Sequence, residues 1–390
     1  MNPKPGSLTG DRSVVLPLSE KEILPQRRSE ILPETRPETQ AITSPRTGED
    51  AWLDSMRSAF RSGKDLAEFL GLGSDRGGEQ GGGESAAAVP AEPDSIENSL
   101  PDFGFPVFVP REFAARMKPG DPNDPLLRQV MPVSDEGAVV AGFDADPVGD
   151  WQANVAPGVL HKYEGRALVI TTGACGVHCR YCFRRSFPYN EAGSRSDAYE
   201  PSIEYLKKRG DVEEVILSGG DPLTITDSAL DALLTKIEAI EHVVRLRIHS
   251  RMPIVIPSRV NQFLIDRLQQ SRLTAWMVVH CNHAAEIDEA TSSALGRMVD
   301  AGIPVLNQSV LLRGVNDDLD SLESLSRSLM QCRVIPYYLH QLDRVAGAAH
   351  FEVPAERGRE LIAGLESRLP GFAVPRYVVE IAGEKSKTRL

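Results

Sequence analysis

The sequence has 390 residues, 41% of them hydrophobic and 25% charged, with a formal net charge of −12. Those proportions belong to a globular chain long enough for one sizeable domain and appendages. The acidic balance argues against nucleic acid as a partner, no apolar run reaches the length of a membrane span, and the first residues lack a secretory core. A cytoplasmic protein with reduced cysteines and no membrane partner is expected.

Residues 1–48 are rich in Pro, Arg, Glu, Ser and Thr and read as a disordered tail. Residues 49–160 read as a helical and irregular region. It starts with two helical pieces in 49–73, where Trp52, Met56 and Phe60, then Leu66, Phe69 and Leu70, form an apolar face. A Gly/Ser/Ala linker spans 73–93, and short elements broken by turn signals such as "KPGDPNDP" fill 94–160.

From 161 to 390 the pattern becomes regular. Strands are expected at 167–172, 213–222, 243–250, 274–281, 303–312, 334–341 and 376–382. Helices are expected at 202–209, 227–240, 258–270, 288–301, 319–331 and 355–368. This alternation predicts an α/β fold of parallel units, a barrel or an open sheet, with chemistry at the C-terminal ends of the strands.

Just after the first strand of that series stands "CGVHCRYC", with Cys175, Cys179 and Cys182. Three thiolates on one loop suit a four-iron cluster that keeps one iron open to another ligand. A zinc loop completed by His178 is the alternative, although a structural zinc takes four ligands and no second Cys-x-x-Cys lies nearby. The stretch "LSGGDPL", 217–223, ends the second strand; by itself it is a common turn.

The spacing and position of the three cysteines resemble the signature of radical S-adenosylmethionine enzymes. The resemblance implies a partial (β/α)6 barrel, a [4Fe-4S] cluster on Cys175, Cys179 and Cys182, and S-adenosylmethionine on its open iron. It places Gly219, Gly220 and Asp221 beside the methionine amino group.

The longer run "CRYCFRRSFPY" narrows the resemblance. With "PGVLHKYEGRAL", "NQSVLLRGVND", "PYYLHQLDRVAGAAHF" and "GFAVPRYVVEIAGEKSKT", it resembles lysine 2,3-aminomutases, most closely the short forms acting in β-lysylation of elongation factor P. The resemblance runs from near residue 49 to the end. It implies an isomerase that converts L-lysine to β-lysine, with pyridoxal 5′-phosphate as a further cofactor, an electron donor, and the elongation factor P lysylation ligase as a pathway partner. Lys387, which precedes Thr388, is implied as the Schiff-base lysine, with Lys385 as fallback. No lysine lies between Lys236 and Lys385, so this tail pair stands out.

Arg166 matches the phosphate-side arginine, with Lys162 as a possible assistant. Arg184 matches the arginine for the substrate carboxylate, while Arg185 is expected to pack and pair at the surface. Asp343 and Glu380 match the two acids for the distal ammonium; the long forms have Asp at the second position, which leaves selectivity for chain length open. His280 and Gln308 match positions near S-adenosylmethionine, or are satisfied core polar residues. The chain ends three residues after Lys387, without the cysteine-bearing tail of the long forms, so no zinc and a different oligomer are expected.

Two rival readings remain at this point. One is an aminomutase for another amino acid such as arginine; a glutamate enzyme would want cations where Asp343 and Glu380 stand. The other is a non-catalytic iron–sulfur or zinc protein, which would not need Lys387, Arg184 and the paired acids together.

Overall fold

The structure is a computed structural model that describes residues 48–72, 104–191 and 199–390. The expected tail (apart from its last residue) and Gly-rich linker lie outside the described residues. Helices α1 (Gly48–Arg57) and α2 (Gly63–Phe69) come first, with Trp52 and Leu66 fully buried and Phe69 largely exposed. Ser62 caps α2 by accepting from Lys64 N and Asp65 N. Two one-turn helices follow, α3 (Arg111–Ala114) and α4 (Pro125–Arg128), the latter capped by Asp124.

A single sheet organises the rest. Strands β1 (Asn154–Ala156) and β2 (Val159–Tyr163) form an antiparallel hairpin against β3 (Arg166–Thr172). After β3 come α5 (Glu200–Lys208), β4 (Glu214–Gly219), α6 (Asp227–Glu238) and β5 (Arg245–Ser250). The chain continues through α7 (Met252–Val255), α8 (Gln262–Gln269), β6 (Thr274–His280), α9 (Glu289–Asp300) and β7 (Val305–Val310). It ends with α10 (Leu319–Gln331), β8 (Ile335–His340), α11 (Ala355–Arg368), β9 (Arg376–Val379) and the short β10 (Thr388–Arg389).

The strands from β3 to β9 pair in parallel and in chain order, and β10 turns back antiparallel on β9. Six strand–helix units with no pairing of β1 to β10 make an open, partial (β/α)6 barrel. Side-chain caps set the helix starts: Thr226 for α6, Asn261 for α8, Asp288 for α9 and Asp318 for α10. The helices lay apolar faces on the sheet, as with Leu230, Leu233, Leu234 and Ile237 of α6.

Elements of the expected series appear within a few residues of their expected bounds. The hairpin β1–β2, the strand β10 and the helix α7 were not expected. The sheet therefore starts at Asn154, before residue 161.

Candidate active site

A cavity of about 1100 Å³ runs along the inside of the barrel, from the C-terminal strand ends down to Arg166, Glu214 and Arg245 at the other end. Cys175, Cys179, Cys182, Arg184, Gly219, Gly220, Asp221, His280, Gln308, Asp343, Glu380, Lys387, Arg166 and Lys162 all line it. Lys385 is exposed and does not. Gly104, Phe105, Pro106, Val148 and Asp150, from the segment before the barrel, also line the cavity.

The cysteine loop leaves β3 and passes close over the end of β4. Gly220 allows this: a Cβ there would lie 2.2 Å from Ala174 O and 2.8 Å from Gly173 C. Gly219 has φ +116°, a conformation that only glycine adopts readily. Asp221 is buried, and both its oxygens are used. Oδ1 accepts from Leu223 N and Ser250 Oγ, and Oδ2 from Arg251 N and Met252 N. Its side chain thus fixes the end of β5, leaving the backbone of Gly219 and Gly220 to face the cavity.

The three thiols crowd one another. Burial, with Cys182 and Cys179 beside it, pushes the Cys175 thiol well up; burial and Cys179 push Cys182 up to about 11. Thiols so placed stay protonated unless a bound metal centre displaces their protons. Among the described residues, no three His, Cys, Asp or Glu side chains converge closely enough for a single metal ion. His178 Nδ1 lies 2.8 Å from Pro106 O, and its ring stacks on Phe105. With His178 engaged by Pro106 and Phe105, the three thiols are left as the donor set on this loop, which fits an iron–sulfur cluster better than a zinc ion completed by His178.

Opposite the thiols runs a chain of alternating charges. Arg184 Nε donates to Asp150 Oδ2 at 2.6 Å, and Lys162 Nζ lies 2.6 Å from Asp150 Oδ1. Lys162 Nζ also donates to Glu380 Oε1 at 3.1 Å, and Lys387 Nζ donates to Glu380 Oε2. Burial alone would raise the Glu380 carboxyl, but Lys387 and Lys162 hold it down, at about 2. Asp343 has no such direct partner. Burial pushes it up to about 7, with Glu380 adding to the rise and Lys387 opposing it.

Several expectations are revised. Arg185 is not at the surface: its side chain is 6% exposed, and Nη2 donates to the fully buried Glu136 at 2.7 Å. Lys162 stands between two carboxylates, Asp150 and Glu380. Arg166 makes no ion pair among the described residues, lies over the Tyr163 ring at 4.4 Å and keeps its donors for the cavity. Two further buried polar atoms line the cavity without hydrogen-bond partners among the described residues, the Arg247 Nε donor and His249 Nε2. Unmet buried polar groups of this kind call for a polar ligand, and with the Lys387 amine they fit a phosphate-bearing aldehyde.

Asp150 went unseen in the sequence, because it lies in an aperiodic segment with no motif around it. Tyr181 lies inside the cysteine motif, yet its role shows only in three dimensions. Its Oη lies 2.8 Å from His280 Nε2, and burial pushes the His280 imidazole well below its ordinary value.

Residues 169–275 match the radical SAM superfamily. The chain is 48% identical over 286 residues to an L-lysine 2,3-aminomutase of Escherichia coli (strain K12), covering 73% of this chain and 83% of that one. It is 43% identical over 284 residues to an L-lysine 2,3-aminomutase of Haemophilus influenzae, covering 73% and 84%. It is 41% identical over 283 residues to one from Buchnera aphidicola, covering 73% and 83%.

Proposed function

The chain belongs to the L-lysine 2,3-aminomutases of the radical SAM superfamily, and from that premise we propose that it moves the 2-amino group of L-lysine to carbon 3, giving β-lysine. The observation that supports this most is the shared cavity: three thiols on one wall, a lysine between two acids on the other, and an arginine between them. When bound, the cluster with S-adenosylmethionine supplies a carbon-centred radical, and pyridoxal phosphate supplies a conjugated system through which an amino group can move.

The side chains have the following parts in this reading. Cys175, Cys179 and Cys182 hold the cluster, leaving an open iron for S-adenosylmethionine, with the Gly219–Gly220 backbone, His280 and Gln308 on the same side. Lys387 would join pyridoxal phosphate, and Arg166, Arg247 and His249 would be the groups available to its phosphate. Arg184 anchors the substrate carboxylate. It follows Cys182 by two residues, so the anchor and the radical source share one rigid loop.

Glu380, still paired with Lys162, and Asp343 would be the acids that attract the distal ammonium of lysine. A glutamate side chain would bring a third negative charge there instead. Phe105, Val148 and Leu160 supply apolar lining to the cavity, which suits a site that must keep water from a radical.

Likeness to the short forms further supports β-lysine as a supply for modification of elongation factor P, with a ligase downstream and an external one-electron donor upstream. Anaerobic assay of the reconstituted protein with lysine, arginine and glutamate, with product identification, tests the reading. Lysine is expected to turn over fastest, giving β-lysine; faster conversion of arginine or glutamate would overturn the substrate assignment.

A further inference from the structure

Behind the cysteine loop, away from the chain of charges, lies a second polar network that the reaction as described does not use. At its centre is Arg251, whose side chain is 6% exposed. Asp221 Oδ2 fixes its backbone by accepting from Arg251 N at 2.7 Å. The guanidinium Nη2 donates to Gln129 Oε1 at 2.7 Å and to Glu286 Oε2 at 2.9 Å. Nη1 donates to Tyr181 Oη at 2.8 Å and to Cys179 Sγ at 2.7 Å.

The surroundings hold that geometry in place. Gln129, Asn282 and Glu286 are all fully buried. Asn282 Nδ2 donates to Tyr181 Oη and Gln129 Oε1, and Gln129 Nε2 donates to Glu286 Oε1. A guanidinium does not deprotonate in proteins, so a permanent cation is aimed at one thiol of three. The Arg251 Nε donor is also buried and unpartnered, and Arg251 lines the cavity.

Resting on the cluster reading above, we propose that Arg251 sets the reduction potential of the iron–sulfur cluster by donating an N–H···S hydrogen bond to Cys179. The couple is the one-electron reduction of the cluster from its 2+ to its 1+ state by an external reductant. Reduction adds negative charge to the cluster and its sulfurs. A donated hydrogen bond and a buried cation stabilise that charge, so both raise the potential. The arrangement is one-sided: of the three cysteines, Cys179 alone has this guanidinium donor among the described residues.

The test is an EPR-monitored redox titration of anaerobically reconstituted wild-type, R251Q and R251K proteins of equal iron content. R251Q is expected to lower the equilibrium constant for cluster reduction at least tenfold, a fall of about 59 mV for one electron. R251K keeps the charge but loses the fork, and should fall between the two. An R251Q midpoint equal to that of the wild type overturns the proposal.

Pulsed EPR of reduced wild-type protein labelled with 15N-arginine gives a second test that does not depend on a variant's folding. A 15N coupling to the cluster that is lost in R251K supports the contact; its absence from the wild type overturns it. A wild-type protein that assembles no cluster at all overturns the underlying cofactor reading instead.

Discussion

Asp150 Oδ2 accepts from Arg184 Nε at 2.6 Å, in a wall where the Asp150 side chain is only 3% exposed. Burial would raise this carboxyl, but Arg184 and Lys162 outweigh it and hold it ionised. Arg184 is thus aimed by a residue that touches neither thiols nor Lys387. Asp150→Asn keeps the shape but removes the charge that orients Arg184. Losing one partner of a buried pair costs about 2 kcal/mol or more, roughly thirtyfold in kcat/KM. The loss should fall mainly on KM for lysine, and Asp150→Glu should recover part of it. Steady-state kinetics with KM unchanged would contradict this role.

The pH dependence should follow Asp343. Its ionised form attracts the distal ammonium, and its carboxyl titrates at about 7 in this structure. Burial drives the rise, Lys387 opposes it and Glu380 adds to it. Below that point Asp343 is neutral, and kcat/KM for lysine should fall about tenfold per pH unit. Asp343→Asn should have low kcat/KM without that limb. A wild-type profile flat down to pH 5.5 would refute the assignment.

Lys387 and Lys385 can be separated directly. Lys387 meets Glu380 inside the cavity, while Lys385 is exposed. Borohydride reduction with pyridoxal phosphate should fix the cofactor covalently to wild-type and Lys385→Ala proteins, but not to Lys387→Ala. Peptide mass analysis locates the attachment; a label on Lys385 would reverse the assignment.

Gly220→Ala should disturb the cysteine loop. Its Cβ would meet the backbone of Ala174 at 2.2 Å, and backbone cannot rotate away. Such overpacking costs about 1–3 kcal/mol, read as a lower thermal midpoint and reduced iron content. Gly210→Ala, with nothing within 4 Å of the added methyl, serves as the control.

The barrel was legible in the sequence because each strand–helix unit carries its own periodicity and caps. The cysteine loop was legible because its ligands lie within eight residues, Cys175 to Cys182. Asp150 was not, since its partners Arg184 and Lys162 come from later elements and no local pattern marks it. Arg251 was hidden for a related reason. In "HSRMPIV" it reads as a solvated turn residue, and only Gln129 and Glu286, more than 30 residues away on either side, make it a buried one. Likewise β10 has two residues and exists only through its pairing with β9.

The two ends of the sheet have a consequence of their own. Lys162 belongs to β2, near one end, whereas Glu380 and Lys387 flank the turn between β9 and β10 at the other. No ladder joins β1 to β10, so the Lys162–Glu380 ion pair is a rivet across that seam. A rivet of this kind loosens without breaking any backbone pairing. Glu380, one of the acids assigned to the substrate ammonium, is thus also a tie between the two ends of the sheet.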